Sequence, residues 1–243
     1  MSEFFLPDNS QHILLIGKNG SGKTRAAVWH LSKKDFQNEI WIVVNHKREK
    51  LINSIPGAQF LGLAERPKKP GVYIYMPRPD FDDEEVTGLL WWVYEHENVG
   101  VYIDEGYMIA PRDPALNALY TQGRSKHTPV ITLSQRPSKI SRFAVSEAAF
   151  YQVFHLVDRR DRKIIQEFIP PFRNGFSLEE LMVPEPGRDR RLKPYHSVYY
   201  DTSGDEPLIM APVPSDEEIL AVFAEKLVPP EQLENTVAKF NKL

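Results

Sequence analysis

"HILLIGKNGSGKT", residues 12–24, joins a compact apolar run to a glycine-rich segment, and a helix-compatible stretch continues to about Lys33. Residues 17–24 match the pattern G-x-x-x-x-G-K-[ST] in full, between a strand-like and a helix-like flank. Gly17, Gly20 and Gly22 permit a curvature that bulkier residues would hinder. Successive N–H groups along Gly17, Lys18, Asn19, Gly20, Ser21 and Gly22 then face inward, helped by the N-terminus of the next helix. Lys23 is placed to neutralise β- and γ-phosphates and Thr24 to ligate Mg²⁺, so this stretch predicts ATP and magnesium as its ligands.

Outward from that loop, the chain alternates buried-strand candidates with helical patterns. "EIWIVVN" (39–45), "GVYIYMP" (71–77), "VGVYI" ending at Asp104, "PVITL" (129–133) and "FYQVFHLV" (150–157) are apolar along their length. Such runs suit parallel strands covered on both faces. "DDEEVTGLLWWVYEHEN" (82–98) is the clearest helix, with Asp82 and Glu85 spaced as a capping box and a stripe of Val86, Leu89, Leu90 and Val93. Trp91 and Trp92 on this helix are expected to pack rather than to stack on bases. "DPALNALYTQG" (113–123) offers Asp113 as cap, Pro114 at the first helical position and Gly123 as a stop. "DRRDRKIIQEFIP" (158–170) predicts a helix capped by Asp158.

Beyond residue 170 the pattern changes to a charged loop with a helical turn at "SLEEL", an edge strand at "YHSVYY", and short amphipathic helices at 215–227 and 230–243. The division that follows is an α/β core over 1–170, preceded by a short arm, with a subregion over 171–243 packed on it. The 243 residues suffice for one substantial core. With no cysteine the chain has no disulfide and no thiolate ligand. Its histidines, among them His46, His96, His127, His155 and His196, lack metal-ligand spacing, so no zinc is assigned. The net charge of −3 carries no global sign of nucleic-acid binding, yet a ring protein needs positive charge on one face only. No apolar stretch has membrane-spanning length. The 20 prolines fall largely between the apolar runs and mark rigid loops.

"VYIDE" places Asp104 at a strand tip, where it can hold the magnesium shell, and Glu105 beside it, where it can polarise an attacking water. An Asp-Glu pair at a strand end suits hydrolysis by water better than transfer to a small acceptor. "TQGRSKHTPVITLSQRP" (121–137) ends a further strand in Gln135. If that strand neighbours the one ending in Asp104, its amide reaches the γ-phosphate or the water and reports the nucleotide state. Arg124 has no evident place in its own site, because Lys23 and magnesium already neutralise the phosphates. It is expected to reach a neighbouring subunit's nucleotide, with Arg136 and Arg142 as rivals for that role.

The ordered set GKNGSGKT, "VYIDE", "QGRSKHTPVITLSQRPSKISRF" and "AAFYQVFHLVDRRD" resembles the HerA/FtsK superfamily of DNA-pumping ATPases over roughly residues 12–170. It is most similar to the compact genome-packaging ATPases of viruses with an internal membrane. The resemblance implies a RecA-like P-loop core, with a mostly parallel central sheet flanked by helices, in a ring that is usually hexameric and encloses double-stranded DNA. It also implies that Lys23, Glu105, Gln135 and Arg124 are catalytic. Cellular relatives carry an N-terminal barrel or membrane segments and a DNA-reading winged helix; this chain fits neither, which favours packaging. Capsid or portal proteins are implied partners. The implied location is the host cytoplasm or a packaging vertex, without membrane insertion. Lys68, Lys69, Arg78, the set Arg159, Arg160, Arg162 and Lys163, and "GRDRR" (187–191) are the basic groups available to a DNA backbone. A filamentous-phage-type export ATPase, a small-molecule kinase, and an interaction protein with a vestigial site are the alternatives.

Overall fold

The computed structural model describes residues 5–183 and 192–232. The apolar runs form strands β1 (Ile13–Ile16), β2 (Ile40–Asn45), β4 (Gly71–Tyr75), β5 (Val99–Asp104), β6 (Val130–Ser134) and β7 (Phe150–Val153). Three more are β3 (Gln59–Leu61), β8 (Ser197–Asp201) and β9 (Leu208–Met210). Together they make one nine-stranded sheet in the order β3-β4-β2-β5-β6-β1-β7-β8-β9. β1 to β7 pair in parallel, whereas β8 runs antiparallel to β7 and β9 antiparallel to β8. The fold is α/β with a mixed, mostly parallel sheet, its parallel part as the continuous apolar runs predict; the strand at "YHSVYY", expected at an edge, is β8, and β9 covers it as the edge strand.

Helices cover both faces, which is why the inner strands are apolar throughout. α3 (Asp83–Glu95), α4 (Pro114–Gln122), α6 (Arg159–Gln166) and α7 (Leu178–Met182) share one layer with Leu14 and Ile16 of β1. α1 (Lys23–Ser32) and α8 (Asp216–Leu227) share the other with Ile13 and Leu15. The C-terminal residues therefore enter both layers: Leu178 and Val198 in the first, Tyr199 and Phe223 in the second. Phe223 of α8 stacks on Phe36, ring centroids 5.6 Å apart, and so seats α8 beside α1. Two short helices, α2 (Lys50–Asn53) and α5 (Arg142–Ser146), are the remaining α-helices among the described residues.

Local signals explain most helix starts. Asp113 accepts the Leu116 N–H at the head of α4, behind Pro114, and Asp158 accepts the Arg160 N–H at the head of α6. Ser177 and Ser215 form reciprocal capping boxes with Glu180 and Glu218. In α3, Val86, Leu89, Leu90 and Val93 are its buried residues. Its start departs from expectation: Asp82 precedes the helix but makes no cap hydrogen bond. Its carboxylate instead accepts from the backbone N–H of Arg78 (2.7 Å) and from the Arg78 guanidinium (2.7 Å). A charge-assisted bidentate partner outcompetes a neutral helical N–H. Trp91 and Trp92 are half-buried, the first edge-on to Tyr94 and the second stacked on His96. The helix expected over 230–243 falls almost wholly outside the described residues.

Two buried histidines tie these layers together. His12 Nδ1 accepts the Val130 N–H at 3.0 Å while its Nε2 lies 3.1 Å from the Tyr120 carbonyl, linking β1, α4 and β6. His30 Nε2 lies 2.9 Å from Gln152 Oε1, across from α1 to β7. Burial pulls each pKa down to about 4. The unfolded chain binds these protons near 6.5, so the stability each neutral ring contributes is complete above pH 6.5 and declines as pH falls toward 4, by about 3 kcal/mol per ring. The urea midpoint is therefore expected to drop steadily between pH 6.5 and 4.5, and His30→Gln to flatten that slope. A midpoint constant over this range would show that these rings are not held neutral.

Candidate active site

The order β5-β6-β1 brings three distant motifs to one edge of the sheet. β6 pairs with β1 on one side (Ile16 opposite Ser134) and with β5 on the other (Ile103 opposite Thr132). Gly17, Asp104-Glu105 and Gln135 therefore emerge at the same level, at the carboxyl ends of their strands. In open parallel sheets that edge is where ligands bind.

Backbone bonds to both neighbouring strands fix the loop at 17–22. The Gly17 N–H donates to the Ser134 carbonyl (3.2 Å) and the Lys18 N–H to the His155 carbonyl (3.0 Å). A Cβ on Gly17 would lie 2.6 Å from Phe154 Cβ and 2.7 Å from Ser21 Oγ, so only glycine fits. Gly20 and Gly22 sit at φ +71° and +96°, which other residues rarely adopt. Gly22 is followed directly by Lys23 and Thr24 in the first turn of α1, so the end of the loop is also the positive end of a helix. Asn19 and Gly20 are exposed, and Ser21 Oγ is buried with no hydrogen-bond partner.

The acidic pair lies beneath the loop. Asp104 and Glu105 are each 1% exposed. Burial, reinforced by the Glu105 charge, pushes the Asp104 pKa up to about 6, and its Oδ2 lacks a hydrogen-bond partner. Glu105 adopts the left-handed backbone region at φ +59°, which costs on the order of 1–3 kcal/mol for a side-chain-bearing residue. Its Oε1 accepts from Gln135 Nε2 at 2.8 Å and lies 3.7 Å from Lys23 Nζ. Lys47 Nζ also donates to this oxygen, while Oε2 has no partner. Burial lowers the Lys23 pKa against the opposing pull of Glu105 and Asp104. At Lys47 burial pulls downward too, but the hydrogen bond and charge of Glu105 outweigh it and the pKa is raised.

Sequence reasoning missed Lys47. The signal was present, because "VVNHK" ends a strand as "YIDE" does, but the adjacency of β2 and β5 (Asn45 opposite Asp104) is a property of the sheet. His46, whose Nδ1 is 3.4 Å from the Asp104 carbonyl, was likewise not assigned to the site. A cleft of about 330 Å³ opens beside the phosphate loop, lined also by Phe154, Tyr195, Pro212 and Val213. Tyr195 is 59% exposed at φ +61°, and nothing local in "KPYHS" marks it for this position.

The three arginines separate clearly. Arg124 lies in the turn Gly123–Lys126, ahead of β6, and its charge is felt by His12 at the entrance of β1. It is exposed at the amino ends of the strands, about 13 Å or more from its own phosphate loop at ~3.3 Å per strand residue. Arg136 is engaged by Asp161 (2.8 Å) and Asp158 (3.3 Å). Arg142 is exposed at the first position of α5. Of the basic groups, Lys68, Lys69, Arg78, Arg159, Arg160 and Lys163 are exposed. Arg78 is paired with Asp82, Arg162 donates to the Leu156 and Val157 carbonyls, and Arg159 lies 3.9 Å from Glu179. Residues 187–191 lie outside the described residues.

A phosphate loop on β1, a buried Asp-Glu pair on β5 and a polar tip on the strand between them define a RecA-like P-loop nucleoside triphosphatase. No family model matches the sequence. The chain is 53% identical over 218 residues to the DNA packaging ATPase P9 of Enterobacteria phage PRD1, covering 90% of this chain and 94% of that protein. It belongs to the family of that DNA packaging ATPase. The fold is also that of the genome packaging NTPase B204 of Sulfolobus turreted icosahedral virus 2 in complex with AMPPCP, with a TM-score of 0.63 at 18% identity over 85% of this chain and 100% of that one. A similar fold occurs in EssC (ATPases 2 and 3) of Geobacillus thermodenitrificans, with a TM-score of 0.54 at 12% identity over 96% of this chain and 45% of that one.

Gly17→Ala tests the loop's packing. The added methyl must displace Phe154 or Ser21, so the expected result is a loss of about 1–3 kcal/mol in stability together with weakened binding of a fluorescent ATP analogue. Unchanged melting and binding would show that the loop packs differently.

Proposed function

We propose that this chain is the ATPase that drives a viral double-stranded DNA genome into a preformed capsid, hydrolysing ATP at the site formed by residues 17–24, Asp104, Glu105 and Gln135. Membership of a DNA packaging ATPase family supports the activity. The observation that carries the residue assignment is the hydrogen bond from Gln135 Nε2 to Glu105 Oε1 within reach of Lys23. In this reading the loop N–H groups and Lys23 bind the phosphates. Glu105 takes a proton from water as it attacks the γ-phosphorus, the bond from that phosphorus to the β–γ bridging oxygen breaks to release ADP and phosphate, and Gln135 links the carboxylate to the nucleotide state.

The residues fit a magnesium ion. Among the described residues no group of three or more His, Cys, Asp or Glu could hold a metal. Magnesium bound to a nucleotide needs only one or two protein oxygens besides phosphate and water. Thr24, together with the unpartnered and buried Asp104 Oδ2, meets that need. When bound, the ion neutralises phosphate charge.

Arg124 is proposed to act on the nucleotide of the neighbouring subunit in a ring, of six copies by analogy with the superfamily. Its exposure and its position at the far end of the sheet support a role outside its own site. Arg136 is less suited because two carboxylates already hold it. Arg142 is the remaining rival. Exposed cations such as Lys68, Lys69, Arg160 and Lys163 are proposed to grip the DNA backbone without reading sequence. Capsid or portal proteins at a packaging vertex, reached from the host cytoplasm, are the proposed further partners. No helix among the described residues is long and apolar enough to cross a membrane.

Two measurements test this reading. Glu105→Gln is expected to bind ATP normally and to hydrolyse it about 10²-fold more slowly or worse. Arg124→Ala and Lys23→Ala are each expected to be inactive alone, with DNA-stimulated hydrolysis reappearing when the two are mixed. Mixed rings would place an intact Arg124 against an intact Lys23. No recovery on mixing, or recovery with Arg142→Ala in place of Arg124→Ala, would reject Arg124 as the shared residue.

A further inference from the structure

Glu105 has more cationic contact than a proton acceptor needs. Lys23 lies 3.7 Å from its Oε1, but the phosphate loop commits that ammonium to a nucleotide. Lys47 Nζ donates to the same oxygen, as does Gln135 Nε2 at 2.8 Å. The other oxygen, Oε2, is buried and has no hydrogen-bond partner. Besides Lys23, one oxygen of the carboxylate thus has two donors, and the other oxygen has none.

Lys47 is not required for the turn that carries it. Asn45 holds that turn, its Oδ1 accepting the Glu49 N–H at 2.9 Å and its Nδ2 donating to Asn53 Oδ1 at 3.0 Å. The Lys47 side chain is 30% exposed and belongs to neither apolar layer. What it contacts is a carboxylate on a backbone in the left-handed region, 58 residues away in sequence. An ammonium anchored in the loop after β2 and a neutral amide anchored after β6 approach one oxygen from strands on either side of β5. Two such anchors restrict rotation of the carboxylate, and a neutral amide alone holds an anion less firmly.

We propose that Lys47 is a positioning residue for ATP hydrolysis: with Gln135 it clamps Glu105 Oε1, so that Oε2 alone is presented to the attacking water. This rests on the reading of Glu105 as the group that takes the water's proton. In this role Lys47 acts through Glu105 and not on the nucleotide. Displacement of a reacting group by about 1 Å can cost on the order of 10²-fold in rate, which sets the scale of the effect.

The test measures single-turnover hydrolysis and ATP affinity in wild-type, K47M, K47Q, K47R, E105Q and K47M/E105Q proteins, each checked by thermal melting. K47M and K47Q are expected to melt as wild type and bind ATP within about 3-fold, while hydrolysis falls roughly 10- to 100-fold. K47R is expected to regain part of the loss, and K47M to slow E105Q no further. Wild-type or faster hydrolysis in K47M beside a slow E105Q would overturn the clamp alone, the faster rate marking Lys47 as a restraint on Glu105. Equal slowing of wild type and E105Q would place the Lys47 effect elsewhere and overturn it as well. Rapid hydrolysis by E105Q would defeat the reading of Glu105 as base, and the clamp with it.

Discussion

Parallel pairing of β6 with both β1 and β5 is the constraint on which the rest of the site depends. It sets the loop strand and the acid strand one strand apart, and it puts a polar amide between them. Were β1 and β5 direct neighbours, Lys23 and Glu105 would have no intervening residue to relay between them. With β6 inserted, Gln135 contacts Glu105 directly and its strand accepts the Gly17 N–H through Ser134. One strand end therefore touches both halves of the chemistry.

That geometry concentrates charge where water is scarce. Asp104 and Glu105 are adjacent, buried and of like sign, an arrangement that is unfavourable unless cations or metal compensate it. Lys23 and Lys47 supply compensation at Glu105, while burial and the Glu105 charge raise the Asp104 pKa and its Oδ2 has no hydrogen-bond partner. A buried acid with an unpartnered oxygen beside the phosphate loop is suited to receiving a cation with its nucleotide. Tight apolar layers on both faces of the sheet hold this edge rigid, and the left-handed backbone at Glu105 persists because its surroundings fix it.

The two ends of the sheet have different characters. The carboxyl ends carry the loop, the acids and Gln135. The amino ends carry His12, Arg124 and the start of β6, at the opposite end of the strands from the loop of residues 17–22. A rigid parallel sheet separates such groups by the length of its strands, so any joint action of Arg124 and a phosphate loop is one between molecules. This is the physical basis on which a shared site in a ring is proposed here.

The phosphate loop, the apolar strands, the stripe on α3 and the Asp113 and Asp158 caps were all legible in the sequence, because each depends on spacing within a few residues. Adjacency of the strand ending in Gln135 to the acid strand entered only as a condition, with the amide expected to reach water or γ-phosphate; its hydrogen bond to Glu105 was not foreseen. Asp82 misled, since its pattern is that of a cap while the nearby Arg78 supplies a stronger partner. Lys47 was legible only as a residue just past a strand end, and Tyr195 was not legible at all. Both reach the site through elements distant in sequence, and no periodicity encodes which strand will lie beside which. The sequence by itself determined the chemical parts and the local elements that carry them. The tertiary structure alone decided which side chains share one carboxylate oxygen, because that depends on long-range strand order and register.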